Sequence, residues 1–153
     1  MNSTQNHGFE FIGFVVAQEQ NIGEYHPLAG SFAVIKCKEK YLMCFNKWSK
    51  QWELPAGSRE GNETPRECAI RELYEETGQV VGQLEFKGVL KLRNSKTGSI
   101  KNNPVYYAEI KELQPFIQND ETTEIKLWDL KEELGMIDEM DLKILESLSL
   151  SLH

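Results

Sequence analysis

The sequence predicts a single mixed α/β or α+β domain, in which a helix is inserted among many short strands. Three observations support this prediction. The 153 residues are enough to bury one hydrophobic core. Runs rich in aromatic and β-branched residues recur along the chain, and one segment, residues 65–77, carries the start and stop signals of a helix. A helix among many strands favours a mixed domain over a β-sandwich.

The predicted strands are the short runs rich in aromatic and β-branched residues. They cover residues 9–17, 32–37, 41–45, 52–54, 84–92, 105–110 and 126–130. The charged turn at residues 38–40 is expected to join the second and third strands in a hairpin. Two polar segments, residues 18–30 and 93–104, are expected to be loops.

The helix at residues 65–77 has clear signals at both ends. Thr64 is a suitable N-cap, Pro65 occupies the first helical position, and Glu67 completes a capping box. Gly78 stands where a left-handed C-cap is expected. A second, amphipathic helix is predicted at residues 138–148, where apolar residues recur at helical spacing.

The composition argues against several classes of protein. The formal net charge of −7 disfavours a stable nucleic-acid partner, which requires a basic face. No window approaches the roughly 20 apolar residues of a membrane helix, and residues 1–8 lack the apolar stretch of a signal peptide. The three cysteines form no C-x-x-C pair. We therefore expect a reduced, cytoplasmic protein with one domain, residues 1–153, whose first eight residues form a disordered extension.

Three glutamates are predicted to share one face of the first helix. Glu72, Glu75 and Glu76 occupy positions i, i+3 and i+4, which span roughly one hundred degrees of the helix. Like charges at this spacing repel one another, and hard divalent cations offset that repulsion because they bind carboxylate oxygens. Taken alone, such a trio is more often a solvated surface with a basic partner such as Arg71. The residues around the trio decide between these two interpretations.

Residues 57–79 match the Nudix box, G-x5-E-x7-R-E-U-x-E-E-x-G-U, in which U is an aliphatic residue. The matching residues are Gly57, Glu63, Arg71, Glu72, Leu73, Glu75, Glu76 and Gly78. A chance match at these positions has a probability on the order of one in ten million for a chain of this length. Only the last position departs from the box, because it holds Gln79. The chain therefore resembles the Nudix hydrolase family, and in particular its MutT-like members.

The resemblance reaches beyond the box, over residues 31–135. The sequence W-E-L-P-A-G at residues 52–57 looks like the strand and turn that enter the box in this family, and W-D-L at residues 128–130 resembles the closing strand. The fold that this resemblance implies is an α/β/α sandwich around a mixed β-sheet.

The resemblance also implies a metal site. Its ligands would be the carboxylates of Glu72, Glu75 and Glu76, together with the carbonyl oxygen of Ala56, and its metal would be magnesium or manganese. Metal ions of this kind neutralise phosphate oxygens and activate a water molecule for attack. The implied activity is therefore hydrolysis of a phosphoanhydride.

Four further residues of the box would have structural roles. Glu63 and Arg71 are expected to form an ion pair that braces the loop against the helix. Gly57 and Gly78 would permit the turn before the helix and the cap after it.

The sequence offers several candidates for the general base and for the residues that contact the substrate. In this family the base is either a box glutamate, here Glu72 or Glu75, or a carboxylate from a later loop. The chain offers Glu121 and Glu124 in such a loop. Around Trp48 and Lys50 basic and aromatic residues are mixed, as in sites that stack bases, so these two are candidate substrate-binding residues.

The function predicted from these features is metal-dependent hydrolysis of a nucleotide-type small molecule. A nucleoside triphosphate, including an oxidised one, is the preferred substrate, with a monophosphate and pyrophosphate as products. Residues 91–96 lack the proline and the tyrosine that diphosphate-sugar and dinucleoside polyphosphate members often carry in this region. The alternatives are a hydrolase of ADP-ribose-like compounds, a pyrophosphohydrolase of RNA 5′ ends, and a sensor or scaffold that binds a nucleotide without turnover.

Overall fold

The chain folds around a ten-stranded mixed sheet with one α-helix packed on each face. The computed structural model describes the backbone of residues 2–151 and the side chains of residues 2–150. The helices are α1 (Pro65–Thr77) and α2 (Glu139–Ser151), and a 3-10 helix covers Glu19–Glu24. The strands are β1 (Ser3–Gln5), β2 (Phe9–Val15), β3 (Ser31–Cys37), β4 (Lys40–Asn46), β5 (Gln51–Glu53), β6 (Ala56–Gly57), β7 (Glu85–Asn94), β8 (Ile100–Ile110), β9 (Thr122–Trp128) and β10 (Met136–Asp138).

The sheet is mixed because it contains both parallel and antiparallel pairs of strands. The strand order is β1-β10-β5-β4-β3-β8-β7-β2, with β6 paired to β3 and β9 paired to β4. Strand β3 runs parallel to β8 and antiparallel to β4, and β10 is parallel to both of its neighbours. The predicted α/β/α sandwich around a mixed sheet is confirmed.

Two hydrophobic cores lie on opposite faces of this sheet, because successive side chains of a strand point to opposite sides. On β3, Ala33 and Ile35 pack in the core that contains Ala69 and Leu73 of α1. Val34, between them, faces the other core, which contains the apolar residues of α2, namely Met140, Ile144, Leu145 and Leu148. Each helix therefore covers one face of the sheet.

Helix α1 has the predicted bounds and the predicted caps. The Thr64 hydroxyl accepts a hydrogen bond from the Glu67 backbone N–H, and the Glu67 side chain accepts one from the Thr64 N–H. Gly78 ends the helix with a φ of 83°. The departure from the box at Gln79 is also accounted for, since this buried side chain exchanges hydrogen bonds of 2.8 Å with the backbone of Gln114.

The loop predicted at residues 93–104 is shorter in the structure. Strand β7 continues to Asn94 and β8 begins at Ile100, so the loop is confined to residues 95–99. Asn102, Asn103 and Pro104 lie within the ladder between β7 and β8 and are buried. Their polar and turn-forming character suggested an exposed loop, but the two asparagines hold the neighbouring segment 27–30 through hydrogen bonds to Pro27 and Gly30.

The segment at the N-terminus also differs from the prediction of a disordered extension. Residues Ser3–Gln5 form β1, which pairs in parallel with Met136–Asp138. The Asn2 side chain fixes this pairing, because its Oδ1 atom accepts hydrogen bonds from the backbone N–H groups of Leu134 and Gly135. These contacts join residues far apart in the chain, so the local composition gave no sign of them. Met1 lies outside the described residues.

The remaining differences concern short elements. The predicted closing strand at residues 126–130 lies instead at Thr122–Trp128. Leu130 cannot belong to it, because its φ of 69° is not that of an extended backbone. The polar segment 18–30 contains the 3-10 helix, and β6 and β10 were not predicted. Cys37, Cys44 and Cys68 are free and buried. No helix within residues 2–151 is long and apolar enough to cross a membrane.

Candidate active site

The turn between β5 and β6 lies directly against the carboxylates of α1. The Ala56 N–H donates a hydrogen bond to Glu76 Oε2 at 3.0 Å. A Cβ atom placed on Gly57 would lie 2.5 Å from the Oε2 atom of Glu72, so only glycine allows the backbone to approach this side chain so closely. Gly57 and the side chain of Glu72 are therefore in close contact in the folded chain.

Glu76 is the buried member of the predicted metal-binding trio. Only 6% of the residue is exposed. Burial, together with the neighbouring charges of Glu121, Glu72 and Glu53, raises the pKa of its carboxyl group to about 9, although the hydrogen bond from Ala56 opposes the shift. Glu76 forms no ion pair with any described residue. A buried acid without a cationic partner fits a site for a positive ion.

The structure brings Glu121 to this cluster and leaves Glu124 outside it. Glu121 accepts a hydrogen bond from Asn46 Nδ2 at 3.0 Å, and its charge raises the pKa values of Glu72 and Glu76. Partial burial, followed by repulsion from Glu53, raises the pKa of Glu121 itself. Glu124 pairs across the sheet with Phe45, which packs in the core on the α2 side, whereas the carboxylates lie on the α1 side.

Arg71 links the box loop to the carboxylates. Its Nε and Nη2 atoms donate hydrogen bonds to both carboxylate oxygens of Glu63, at 2.6 and 2.9 Å. Its Nη1 atom lies 2.8 Å from Glu72 Oε1 and 2.9 Å from Glu75 Oε2. Hydrogen bonds to Glu63 raise the pKa of Arg71, so the guanidinium remains charged. The expected contact between Glu63 and Arg71 is therefore present.

The three glutamates of α1 do not converge on one point as they are placed. Among residues 2–150, no three His, Cys, Asp or Glu side chains are grouped closely enough to hold a metal ion together. The reason is visible in the contacts, because Arg71 occupies the space between Glu72 and Glu75, and Glu76 turns toward the Ala56 N–H. The carboxyl oxygens nevertheless provide the hard ligands that magnesium and manganese prefer. The donor set therefore fits such an ion.

Trp48 and Lys50 lie in the turn between β4 and β5. Trp48 is 72% exposed, and the Lys47 ammonium stands 4.8 Å from the centre of its ring. Lys50 is exposed and has a φ of 55°. The turn adjoins Glu121, since the Lys47 N–H donates a hydrogen bond of 2.9 Å to the Glu121 carbonyl oxygen. The two candidate substrate contacts are therefore on the surface beside the carboxylates.

Two acids near the site were not singled out from the sequence. Glu53 accepts hydrogen bonds from Gln51 Nε2 at 2.6 Å and from Ser49 Oγ at 3.0 Å, and its charge raises the pKa values of Glu76 and Glu121. Its only sequence signal is its place in the W-E-L-P-A-G run. Asp141 is buried and accepts a hydrogen bond from the Leu54 N–H at 2.8 Å. Burial raises the pKa of Asp141, and nothing in the α2 sequence marks it.

A cavity of about 180 Å³ opens beside Asp141 on the α2 side of the sheet. Its lining combines the aromatic rings of Phe9 and Phe32 with the polar side chains of Asn103 and Asp138. The Oδ1 atom of Asn103 is buried and has no hydrogen-bond partner among the described residues. Buried polar atoms are rarely left unpaired, so this oxygen marks a place where a ligand or water would donate a hydrogen bond.

Comparison with known proteins agrees with this geometry. The sequence profile of the NUDIX domain matches residues 25–148. The Bacillus subtilis (strain 168) protein YtkD, described provisionally as an 8-oxo-dGTP diphosphatase, is 36% identical over 63 residues, which are 41% of this chain and only 39% of that protein.

Two solved structures share the fold. The NUDIX domain of Shewanella oneidensis NrtR, solved in complex with ADP-ribose, superposes with a TM-score of 0.69 at 18% identity, over 90% of this chain and 99% of that one. The Bacillus subtilis pyrophosphohydrolase BsRppH superposes with a TM-score of 0.68 at 20% identity, over 91% and 90% of the two chains.

The chain therefore belongs to the NUDIX family. The predicted membership of the Nudix family is confirmed. The match also reaches further along the chain than the resemblance over residues 31–135 that the motifs supported.

The ion pair between Glu63 and Arg71 leads to a stability prediction. Both side chains are largely buried, with 13% and 20% exposed, and Arg71 holds the pKa of Glu63 below its usual range. A lowered carboxyl pKa contributes stability above the unfolded pKa of about 4.3, and this contribution is lost as the pH falls through the folded pKa. We expect Glu63→Gln to lower the free energy of unfolding at pH 7 by about 1–3 kcal/mol, with a smaller loss below about pH 4.

The matched control is Glu60→Gln, which removes a carboxylate that is 71% exposed and lies 3.4 Å from the same guanidinium. Its effect should stay within about 0.5 kcal/mol. Urea unfolding at several pH values measures both variants. A Glu63→Gln protein as stable as its parent at pH 7 would show that the pair does not brace the loop.

Proposed function

We propose that this chain hydrolyses a nucleoside triphosphate, including oxidised purine forms, to a monophosphate and pyrophosphate, and that the reaction depends on Mg²⁺ or Mn²⁺. The observation that carries this proposal is that Glu72, Glu75, Glu76 and Glu121 lie within electrostatic range of one another, with Glu72 and Glu76 against the 54–57 turn. Burial, together with the neighbouring carboxylates, raises the pKa values of Glu72, Glu76 and Glu121. A divalent ion would offset that repulsion and would attract the phosphates of a substrate.

Glu72, Glu75 and Glu76 would hold this metal, with the carbonyl oxygen of Ala56. When bound, a divalent ion supplies charge neutralisation for the phosphate oxygens and lowers the pKa of a bound water. Arg71 keeps Glu72 and Glu75 in place through its Nη1 atom and would yield part of that contact to the metal. Gly57 leaves room for the Glu72 carboxylate.

Glu121 is the carboxylate that we assign as general base. It stands beside the trio on a segment that precedes β9, so it can accept a proton from a water molecule held there. Its raised pKa moves it toward the operating pH, which favours proton transfer. Glu124 lies toward the opposite face of the sheet and has no such position.

The preference for a triphosphate is supported by the relative, and a cavity supports a substrate that carries a nucleobase. The relative that is 36% identical over part of the chain is described as acting on 8-oxo-dGTP. The cavity beside Asp141 offers aromatic rings and an unpaired acceptor at Asn103, which are features that bind a nucleobase. The alternatives remain an ADP-ribose-like substrate, an RNA 5′ end, and binding without turnover.

A substrate panel tests the activity. The purified protein is incubated with Mg²⁺ and four compounds, namely dGTP, 8-oxo-dGTP, ADP-ribose and a 5′-triphosphorylated RNA oligonucleotide. We expect a triphosphate to be consumed fastest, to give pyrophosphate as product, and to be protected by a chelator that removes the metal. A much faster reaction of ADP-ribose would overturn the substrate preference. If the protein binds one of these compounds but hydrolyses none of them, the sensor alternative replaces the enzyme.

Glu76→Gln tests the metal site. The substitution keeps the size of the side chain and an acceptor for the Ala56 N–H but removes the buried charge. We expect the metal-free variant to melt at or above the parent temperature, because burying a carboxylate is costly. Stabilisation by Mg²⁺ should fall, and the rate should drop by about 10²-fold or more because a ligand is lost.

Exposed Glu112 provides the control for this comparison. Glu112→Gln should melt and react as the parent does, with and without Mg²⁺. If Glu76→Gln retains both the parent rate and the parent response to Mg²⁺, Glu76 is not a metal ligand.

A pair of substitutions tests the general base. We expect Glu121→Gln to lower kcat by tenfold or more, since general bases contribute about 10²–10⁴-fold. Glu124→Gln should react at a rate close to that of the parent, because its side chain lies outside the cluster. Initial rates at saturating substrate and Mg²⁺ measure both. An unimpaired Glu121→Gln enzyme would return the role of base to Glu72 or Glu75.

A further inference from the structure

A second cavity, of about 400 Å³, lies beside the box loop and is not used by the roles assigned above. Its walls are residues 27–30, Ser58, Arg59 and Lys101. It therefore opens between the segment before β3, the loop after β6 and the beginning of β8. Lys101 also lines the smaller cavity beside Asp141, so the two cavities are neighbours.

The charge of this cavity is positive, although the chain as a whole has a net charge of −7. Arg59 and Lys101 are the charged residues in its lining, and no acid is among them. Neither cation has a carboxylate within ion-pair distance among the side chains of residues 2–150. The Lys101 ammonium lies 4.7 Å from the ring centre of Phe9, a contact that steadies the side chain without neutralising its charge.

The cavity is close to the carboxylates that we assign to the metal. Gly30 packs against Gly57 so tightly that a Cβ atom on Gly30 would lie 2.5 Å from the Gly57 carbonyl oxygen. Gly57 in turn packs against the carboxylate of Glu72. Arg59 follows Gly57 by two residues, so their Cα atoms are at most about 7 Å apart. The wall of the cavity and the carboxylate of Glu72 therefore both pack against Gly57.

The walls of the cavity are held by hydrogen bonds. Asn103 Nδ2 donates to the Gly30 carbonyl oxygen at 2.8 Å. The backbone of Asn102 donates to the Pro27 carbonyl oxygen at 3.1 Å and accepts from the Ala29 N–H at 2.8 Å. Both asparagines are buried in β8. The shape of the cavity is thus fixed before any ligand arrives, which reduces the entropic cost of binding.

We propose that this cavity is an anion subsite that binds a phosphate group of the substrate other than the one held at the carboxylates. This inference rests on the function proposed above, since it assigns the place of a further phosphate in the same substrate. Arg59 presents a planar guanidinium that matches phosphate oxygens in pairs, and Lys101 adds a second positive charge. The Ser58 hydroxyl can donate a further hydrogen bond. The subsite would favour substrates with more phosphate groups over those with fewer.

Binding of inorganic pyrophosphate to the metal-free protein tests the subsite without turnover. Calorimetry in the presence of a chelator and at low salt compares the parent with Arg59→Gln/Lys101→Gln. We expect the parent to bind pyrophosphate and the double variant to bind it at least about tenfold more weakly, because two charge-assisted hydrogen bonds are lost. Added salt should weaken the binding of the parent, since both cations are exposed.

The matched control is Lys96→Gln/Lys111→Gln, which changes the net charge by the same amount at two exposed residues outside the cavity. It should bind pyrophosphate within about twofold of the parent, while Glu76→Gln should bind it at least as well as the parent does. The proposal is overturned if the parent binds no pyrophosphate up to roughly 10 mM. It is equally overturned if the two double variants weaken binding alike, because the effect is then one of net charge.

Kinetics provide a second test. The ratio of kcat/KM for a nucleoside triphosphate to that for the corresponding diphosphate should fall at least about tenfold in Arg59→Gln/Lys101→Gln. The ratio should be that of the parent in the Lys96→Gln/Lys111→Gln control. An unchanged ratio in the cavity variant overturns the subsite even though the enzyme is active. If no nucleotide is hydrolysed at all, the activity proposal fails, and pyrophosphate binding alone decides on the subsite.

Discussion

The site depends on the close contact between the 54–57 turn and α1. The turn donates a backbone hydrogen bond to Glu76, and Gly57 lies so near to Glu72 that any side chain there would displace its carboxylate. Arg71 holds the other end of the loop, at Ser58 and Glu63. Because the loop is fixed at both ends, the carboxylates of Glu72 and Glu76 are crowded against backbone instead of being free in solvent. Their raised pKa values follow from this crowding.

The parts of the fold that the sequence predicted are those with local signals. Helix α1 was predicted to the residue, since Thr64, Glu67 and Gly78 act through contacts within one turn of the helix ends. The roles of Glu72, Glu75 and Glu76 could be suggested in the same way, because the spacing of a helix places them on one face. Runs rich in aromatic and β-branched residues located most strands, because this signal is also local.

The parts that were not predicted depend on contacts between distant segments. Asn102 and Asn103 suggested a loop, yet they are buried because their hydrogen bonds go to residues more than seventy positions earlier in the chain. Strand β1 pairs with β10 because the Asn2 side chain accepts a hydrogen bond from the Gly135 N–H, just before β10. Asp141 is buried and accepts a hydrogen bond from the N–H of Leu54, which is also far away in the sequence. No pattern of propensity or spacing reports such pairings, since each partner is ordinary in its own surroundings.

Acidic and basic residues lie in different places around the box loop, so the loop offers one place for a metal ion and another for phosphate. Acids gather against the 54–57 turn, at Glu72 and Glu76, while Arg59 and Lys101 line the neighbouring cavity and have no ion-pair partner among the side chains of residues 2–150. A polyphosphate would be repelled by the acids alone and would be held in no fixed orientation by the cations alone. With a divalent ion at the acids, both groups of residues would attract phosphate. An acidic protein can therefore bind a polyanion where a bound divalent ion and a pair of cations lie beside the same loop.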